Sequence, residues 1–367
     1  MKITLKHTSV QMLLALLRAS LHEKDIETAF FEKATHEHWK LCYKLAAEQG
    51  VMALAWDGVM KLPKALQPPL GVKISWASGV EAYEERYHRY CSAVDEVTRF
   101  YAGHGIATMQ MKGVGFSTLY PVPCHREGGD IDIYTYSADK NHMSDQEANR
   151  LADRLMQEQG AEVETDHSPK HSNFYYKGIP FENHKTFLDV ESYKVAAQVD
   201  RILQENMQPE RVKLSEGEVV IPSPMFNTLF IAFHAMQHYG SGLALHHLCD
   251  WVMILRRYGL HLPEEIKDKK LLAGFAALTR LCNQYLGTSQ PVEGGESIAD
   301  VMMREILSPS YSADIPTRNK VGILVYKTRR LLHGHRLKSK VLSASLADRI
   351  WKSIVSHVRN PKTIFGT

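Results

Sequence analysis

Gly128-Gly129-Asp130-Ile131-Asp132-Ile133-Tyr134 places two carboxylates two residues apart in a short apolar run. Successive side chains of a strand alternate faces. Asp130 and Asp132 therefore share one face, and Ile131 and Ile133 share the other. Two neighbouring acids repel each other unless positive charge lies between them. A divalent cation meets that need, because Mg²⁺ is typically held by one or two carboxylates together with substrate phosphates. The pattern points to phosphoryl or nucleotidyl transfer.

The stretch sits inside a mixed unit. Residues 106–111 read as a strand, Lys112-Gly113-Val114-Gly115 as a turn, and a short helix runs on to Leu119 before Tyr120-Pro121-Val122-Pro123 breaks it. After the strand 130–136, the pattern predicts a helix over 146–159, closed by Gly160. Strands over 172–176 and 179–187 follow, joined through a Lys177-Gly178 hairpin turn. Both flanks read as helical. Tyr83, Tyr87, Tyr90, Val94, Val97 and Tyr101 step by fours and threes into one apolar stripe, which is a core face rather than a binding platform. Helices are also predicted over 226–239 and 245–258, and Met1 to Asp25 reads as amphipathic. The expected class is α+β: a helical N-terminal region (1–104), a small mixed-sheet core (105–222) and a helical C-terminal domain (223–367).

Composition narrows the function. Hydrophobic residues make up 44% of the chain and charged residues 23%, the balance of a soluble globular protein. A net charge of +3 does not by itself call for nucleic acid. Five scattered cysteines without a CxxC pair argue against a disulfide framework or a zinc site and fit a reducing cytoplasm. No apolar run approaches the roughly 20 residues of a membrane span. Residues 318–367 hold twelve Lys/Arg against one acid. The plainer reading of that run is a solvated helical face, and the sharper one is contact with RNA or an anionic membrane.

Three elements of the core carry chemistry together. Gly113 after a strand lets backbone amides approach a phosphate closely. Asp130 and Asp132 follow, with Arg126 as their nearest basic residue in sequence. Glu182, in Phe181-Glu182-Asn183-His184, is the first choice for a third carboxylate because it lies inside a strand, with Asp189 and Glu191 as competitors. His234 and His238 lie one helical turn apart, followed by His246, His247 and Asp250. Without a Glu after the first, they read better as core or interface histidines than as zinc ligands. His234, His246 and Asp250 remain options for lining the cleft. His171 reads as a surface residue. No Gly-x-Ser-x-Gly elbow is present.

The order Met111-Lys112-Gly113, Tyr120-Pro121, Arg126, then Gly129-Asp130-Ile131-Asp132-Ile133 resembles a bacterial group of uncharacterised nucleotidyltransferase-like proteins in the polymerase-beta-like superfamily. Phe181-Glu182-Asn183-His184 resembles that group's Glu-x-His strand. Ile221-Pro222-Ser223-Pro224, His234, and Gly242-Leu243 through Cys249-Asp250-Trp251 resemble its helical region. The resemblance implies Mg²⁺-dependent transfer of a nucleoside monophosphate from an NTP such as ATP to a hydroxyl acceptor, with release of pyrophosphate. It implies two Mg²⁺ ions on Asp130, Asp132 and Glu182, with Glu182 near the attacking hydroxyl. It also implies donor phosphates cradled at Gly113 and Gly129, with Lys112 or Arg126 countering their charge. The superfamily's turn is usually Gly-Gly or Gly-Ser, where this chain has Gly113-Val114. That departure keeps a catalytically silent nucleotide-sensing or partner-binding module as the alternative. An RNA-acting transferase is a third reading, resting on the basic C-terminus.

Overall fold

In a computed structural model the protein is described over residues 4–165, 168–311, 315, 319–347, 350–351 and 354–355. Four helices come first: α1 (Thr8–His22), α2 (His36–Glu48), α3 (Met52–Lys61) and α4 (Leu70–Ala102). The mixed unit then runs β1 (Ile106–Gln110), α5 (Val114–Ser117), β2 (Ile131–Ser137), α6 (Asp145–Glu158), β3 (Val163–Glu164), β4 (His171–Tyr176) and β5 (Ile179–His184). It is followed by α7 (Ala196–Glu205) and a hairpin of β6 (Glu210–Lys213) and β7 (Glu218–Ile221). The remainder is helical: α8 (Pro224–His238), α9 (Leu245–Arg257), α10 (Lys269–Leu286), α11 (Glu296–Leu307) and α12 (Lys320–Lys338). The chain is thus α+β, with a small mixed sheet between helical regions. Of the C-terminal basic run, Arg318, Arg349, Lys352, Arg359 and Lys362 lie outside the described residues. Among the described residues no helix is long and apolar enough to cross a membrane.

Local chemistry explains the boundaries. Ser144 caps α6 by accepting from Glu147 N–H, and the Glu147 carboxylate returns to Ser144 N–H at 2.9 Å. Ser223 caps α8 ahead of Pro224, whose missing N–H costs nothing at the first helical position. Lys177 and Gly178 both take positive φ, 50° and 76°, as a two-residue turn between twisted strands requires.

The five-stranded sheet has the order β1-β2-β5-β4-β3. The β2–β5 pair is parallel and the other neighbours are antiparallel. In β2, Ile131 and Ile133 point into a core with Phe174 and Phe181 of the sheet, Val94 and Tyr101 of α4, and Ala148 and Ala152 of α6. Asp132, on the alternate face, is left toward a cleft. The sheet thus has one dry face and one chemical face, as its alternation predicted.

A second core joins helices from both ends of the chain. Leu13, Leu16 and Leu17 of α1 pack in one cluster with Trp251 of α9 and Leu278 of α10. The N-terminal segment reads as amphipathic, and α1 bears this out: its four partly exposed residues, Thr8, Gln11, Arg18 and His22, share one face, and the rest of the helix is buried.

At Gly58 of α3 the backbone of α1 comes so near that an added Cβ would lie 2.5 Å from Leu16 O and 2.7 Å from Leu16 Cα. Alanine normally gains about 1 kcal/mol over glycine inside a helix. Here the clash is with backbone and reverses the sign. Gly58→Ala should lose about 1–2 kcal/mol, read as a lower urea midpoint; a raised midpoint would show that α1 and α3 are not packed this closely.

Candidate active site

The parallel register of β2 and β5 sets Asp132 directly beside Glu182. Asp130 precedes β2, two residues back on the same face. The three carboxylates line one wall of a cleft of about 480 Å³. Lys112, Gly113, Arg126 and Gly129 line the same cleft, so every residue singled out from the motifs meets there. The competing acids Asp189 and Glu191 lie beyond the end of β5 and are not among the lining residues.

Lys112 answers the repulsion between the acids. Its ammonium lies 3.4 Å from Asp130 Oδ1 and 3.0 Å from Asp132 Oδ2. Sequence proximity had suggested Arg126 as the neighbouring cation. The structure gives that place to Lys112, because the antiparallel β1–β2 pairing carries the end of β1 alongside Asp132, with Met111 N–H donating to Asp132 O at 3.2 Å. Asp132 is almost wholly buried (1% exposed). Burial alone would push its pKa up, but Lys112 and a 3.0 Å hydrogen bond from His184 Nε2 hold it well below the usual carboxylate range. For Asp130, burial and then the Asp132 charge push the pKa up, and Lys112 only partly offsets them. Glu182 is lowered despite burial, chiefly by His184, and lies 3.4 Å from both His184 Nε2 and His171 Nε2.

Three groups of the site went unread in the sequence. His184 shares a face with Glu182, and strand alternation alone could have placed it there. Lys170 lies just before β4 with no motif around it. It lines the cleft, and its pKa is lowered by burial, with Asp132 opposing. His171, read as a surface residue, is half-buried beside Glu182 because β4 pairs with β5. The far wall holds the three residues that the sequence offered for lining the cleft, His234 of α8 and His246 and Asp250 of α9, together with His238 and His247.

Arg126 and Asp250 tie the two walls together. Arg126 Nε donates to Asp250 Oδ1 and Nη2 to Oδ2, both at 2.8 Å. Arg126 Nη1 donates to Gly113 O at 3.3 Å and Glu127 O at 3.1 Å. Tyr120 Oη donates to Asp250 Oδ1 at 2.5 Å. Gly113, at φ +71°, lies against Gln110, whose Nε2 would be 2.7 Å from an added Cβ. Next to Arg126, His125 is clamped between Asp57 (2.8 Å) and Glu84 (3.0 Å). Burial pulls its pKa down, but the two carboxylates outweigh burial and raise it above the usual 6.5.

Two outcomes follow from these ion pairs. Arg126→Ala leaves Asp250 buried and unpaired and should cost about 3–5 kcal/mol by urea denaturation; a loss below about 1 kcal/mol would make the pair incidental. The raised pKa of His125 gives stability that is fully present below pH 6.5 and is lost as pH rises through the folded-state value. Thermal midpoints should therefore fall as the pH rises above 6.5, and His125→Gln should flatten that part of the profile; an unchanged slope in the variant would remove His125 from the account.

Among curated proteins none matches the chain. A crystal structure of an antigenic nucleotidyltransferase-like protein from Paracoccidioides brasiliensis is similar at 14% identity and a TM-score of 0.36, over 55% of this chain and 93% of that one. At that TM-score the likeness carries no argument. The family described as uncharacterised nucleotidyltransferases matches residues 35–287, which include the sheet, the carboxylates and the histidine wall. Over that span, well beyond half its length, the chain belongs to this family of uncharacterised nucleotidyltransferases.

Proposed function

We propose that the protein is a Mg²⁺-dependent nucleotidyltransferase that moves a nucleoside monophosphate from an NTP to a hydroxyl acceptor and releases pyrophosphate. The observation that carries this reading is the registered pair Asp132–Glu182 with Asp130 beside it, open to a cleft large enough for a nucleotide. The donor set fits Mg²⁺, which takes carboxylate oxygens. The space between Asp130 and Asp132 already accepts a cationic group, the Lys112 ammonium. Asp130, Asp132 and Glu182 would hold the ions, two in number, and the ions would supply charge neutralisation on the attacking and leaving oxygens.

The chain's own groups define the remaining roles. Lys112 and Lys170 face the carboxylate wall and supply positive charge for the donor's phosphates. Gly113 and Gly129 leave open backbone beside it. Arg126, committed to Asp250, acts by bracing Gly113 and α9 rather than by gripping phosphate. Glu182 is the proton acceptor for the attacking hydroxyl. That oxygen bonds to the α-phosphorus, the bond from phosphorus to the pyrophosphate oxygen breaks, and the hydroxyl proton passes to the Glu182 carboxylate. The five free cysteines suit a reducing cytoplasm, where we place the protein.

One observation favours a second reading, a nucleotide-binding module without turnover: the Lys112 ammonium already stands between Asp130 and Asp132. Calorimetric titration of each NTP, with Mg²⁺ and with EDTA, separates the two. Transfer predicts Mg²⁺-dependent binding that Asp130→Asn/Asp132→Asn weakens about a hundredfold or more, with pyrophosphate released once an acceptor is supplied. Binding that ignores both Mg²⁺ and the variant would sink the transfer mechanism.

A further inference from the structure

The wall opposite the carboxylates has a chemistry of its own. His234 and His238 stand one turn apart on α8, and His247 of the packed helix α9 meets them. Ring centroids are 4.5 Å apart for His234–His238, 4.7 Å for His238–His247 and 5.7 Å for His234–His247. One ring nitrogen from each residue lies within 4.8 Å of the other two. All three line the cleft. Among the described residues neither the His234 nor the His238 ring makes a hydrogen bond. A core role would bury these nitrogens against protein, whereas here they border open space.

We propose that His234, His238 and His247 form a binding site for a divalent late transition metal of the Zn²⁺ class, with its fourth coordination position open to the cleft. Three imidazoles and one open position are the donor set of accessible zinc sites, and nitrogen donors select against Mg²⁺, which takes oxygen. Nitrogens bound tetrahedrally at about 2.0–2.1 Å lie about 3.3 Å from one another, so loading requires only a small inward movement of the rings. The protonation state suits a metal. Burial, above all, lowers all three imidazoles: His238 to about 4, His234 and His247 well below the ordinary 6.5. At neutral pH each therefore keeps a lone pair.

His247 adds a structural consequence. Its Nδ1 accepts the Ala244 N–H at 3.2 Å, which places the ring proton on Nε2 in the empty site. Binding through Nε2 moves that proton to Nδ1 and gives up the contact with Ala244. The start of α9 should thus report metal loading. The site is independent of the transfer reading, because its donors are distinct from Asp130, Asp132 and Glu182.

The test uses full-length, tag-free protein stripped with a chelator and titrated with Co²⁺ as a visible probe, then with Zn²⁺ in competition. The expected result is one equivalent of tetrahedral Co²⁺ absorption, displaced by Zn²⁺ and retained in Asp130→Asn/Asp132→Asn. In His234→Asn/His238→Asn, checked by thermal melting to be folded, binding should weaken more than about tenfold. Absence of a stoichiometric Co²⁺ band in the wild-type protein overturns the proposal. Equal binding in the folded histidine variant overturns it too, as does loss of the band in the aspartate variant, which would put the ion on the carboxylate wall. Mg²⁺-dependent NTP binding without Co²⁺ absorption would leave the transfer reading intact and remove only this site.

Discussion

A carboxylate buried as deeply as Asp132 costs several kcal/mol unless it is paired and hydrogen-bonded, and the cleft is organised around that requirement. Lys112 arrives from the end of β1 and His184 from β5, so two strands flanking β2 each contribute one positive or hydrogen-bonding group. Glu182 follows from the same register, because the residue two before His184 on β5 is the partner of Asp132. Asp130, less enclosed, inherits the repulsion that remains. Its raised pKa and the lowered one of Asp132 are two sides of one charge balance. A site in this condition has one carboxylate firmly ionised and another that gains from an added cation.

The segment leading into β2 meets a related constraint with three ion-paired residues in succession. His125 is held by Asp57 of α3 and Glu84 of α4, Arg126 by Asp250 of α9, and Glu127 by Arg86 and Tyr83 of α4. Exposed pairs would contribute little. These are half-buried or buried, and each reaches a different part of the molecule or a different turn of α4. The loop has little freedom to move without breaking several at once. Charge here fixes the approach to the carboxylates, which is why Arg126 is a brace in the geometry although its motif suggests a phosphate contact.

What was legible in the sequence was what has a local signature. The alternation from Asp130 to Tyr134, the Lys177-Gly178 turn and the capped α6 are set by residues within a few positions of one another. Glu182 could be ranked above Asp189 and Glu191 because strand interiors and ends differ in composition. The weak pair β6–β7 went unseen, since Glu210–Lys213 and Glu218–Ile221 are short, charged and lack a two-residue turn signal. Lys112 between the acids, Lys170 before β4 and the histidine wall depend on pairings over tens to more than a hundred residues.

The helices before the sheet also brace the far wall of the cleft, through Gln49. The start of α9 has Ala244 at its cap position, which offers no side-chain acceptor for the first free amides. Gln49, at the end of α2, replaces it: Leu245 N–H donates to Gln49 Oε1 at 3.0 Å and His246 N–H to Gln49 O at 3.2 Å. Gln49 Nε2 in turn donates to Ile306 O at 2.8 Å, tying in the end of α11. The N-terminal helices thereby complete the cap of α9. They fix the height at which His246 and His247 stand, and with them the separation between the histidine wall and the carboxylates. A cleft whose walls come from separate segments of the chain needs such a tie, because nothing in β2 or β5 alone determines how far away α9 lies.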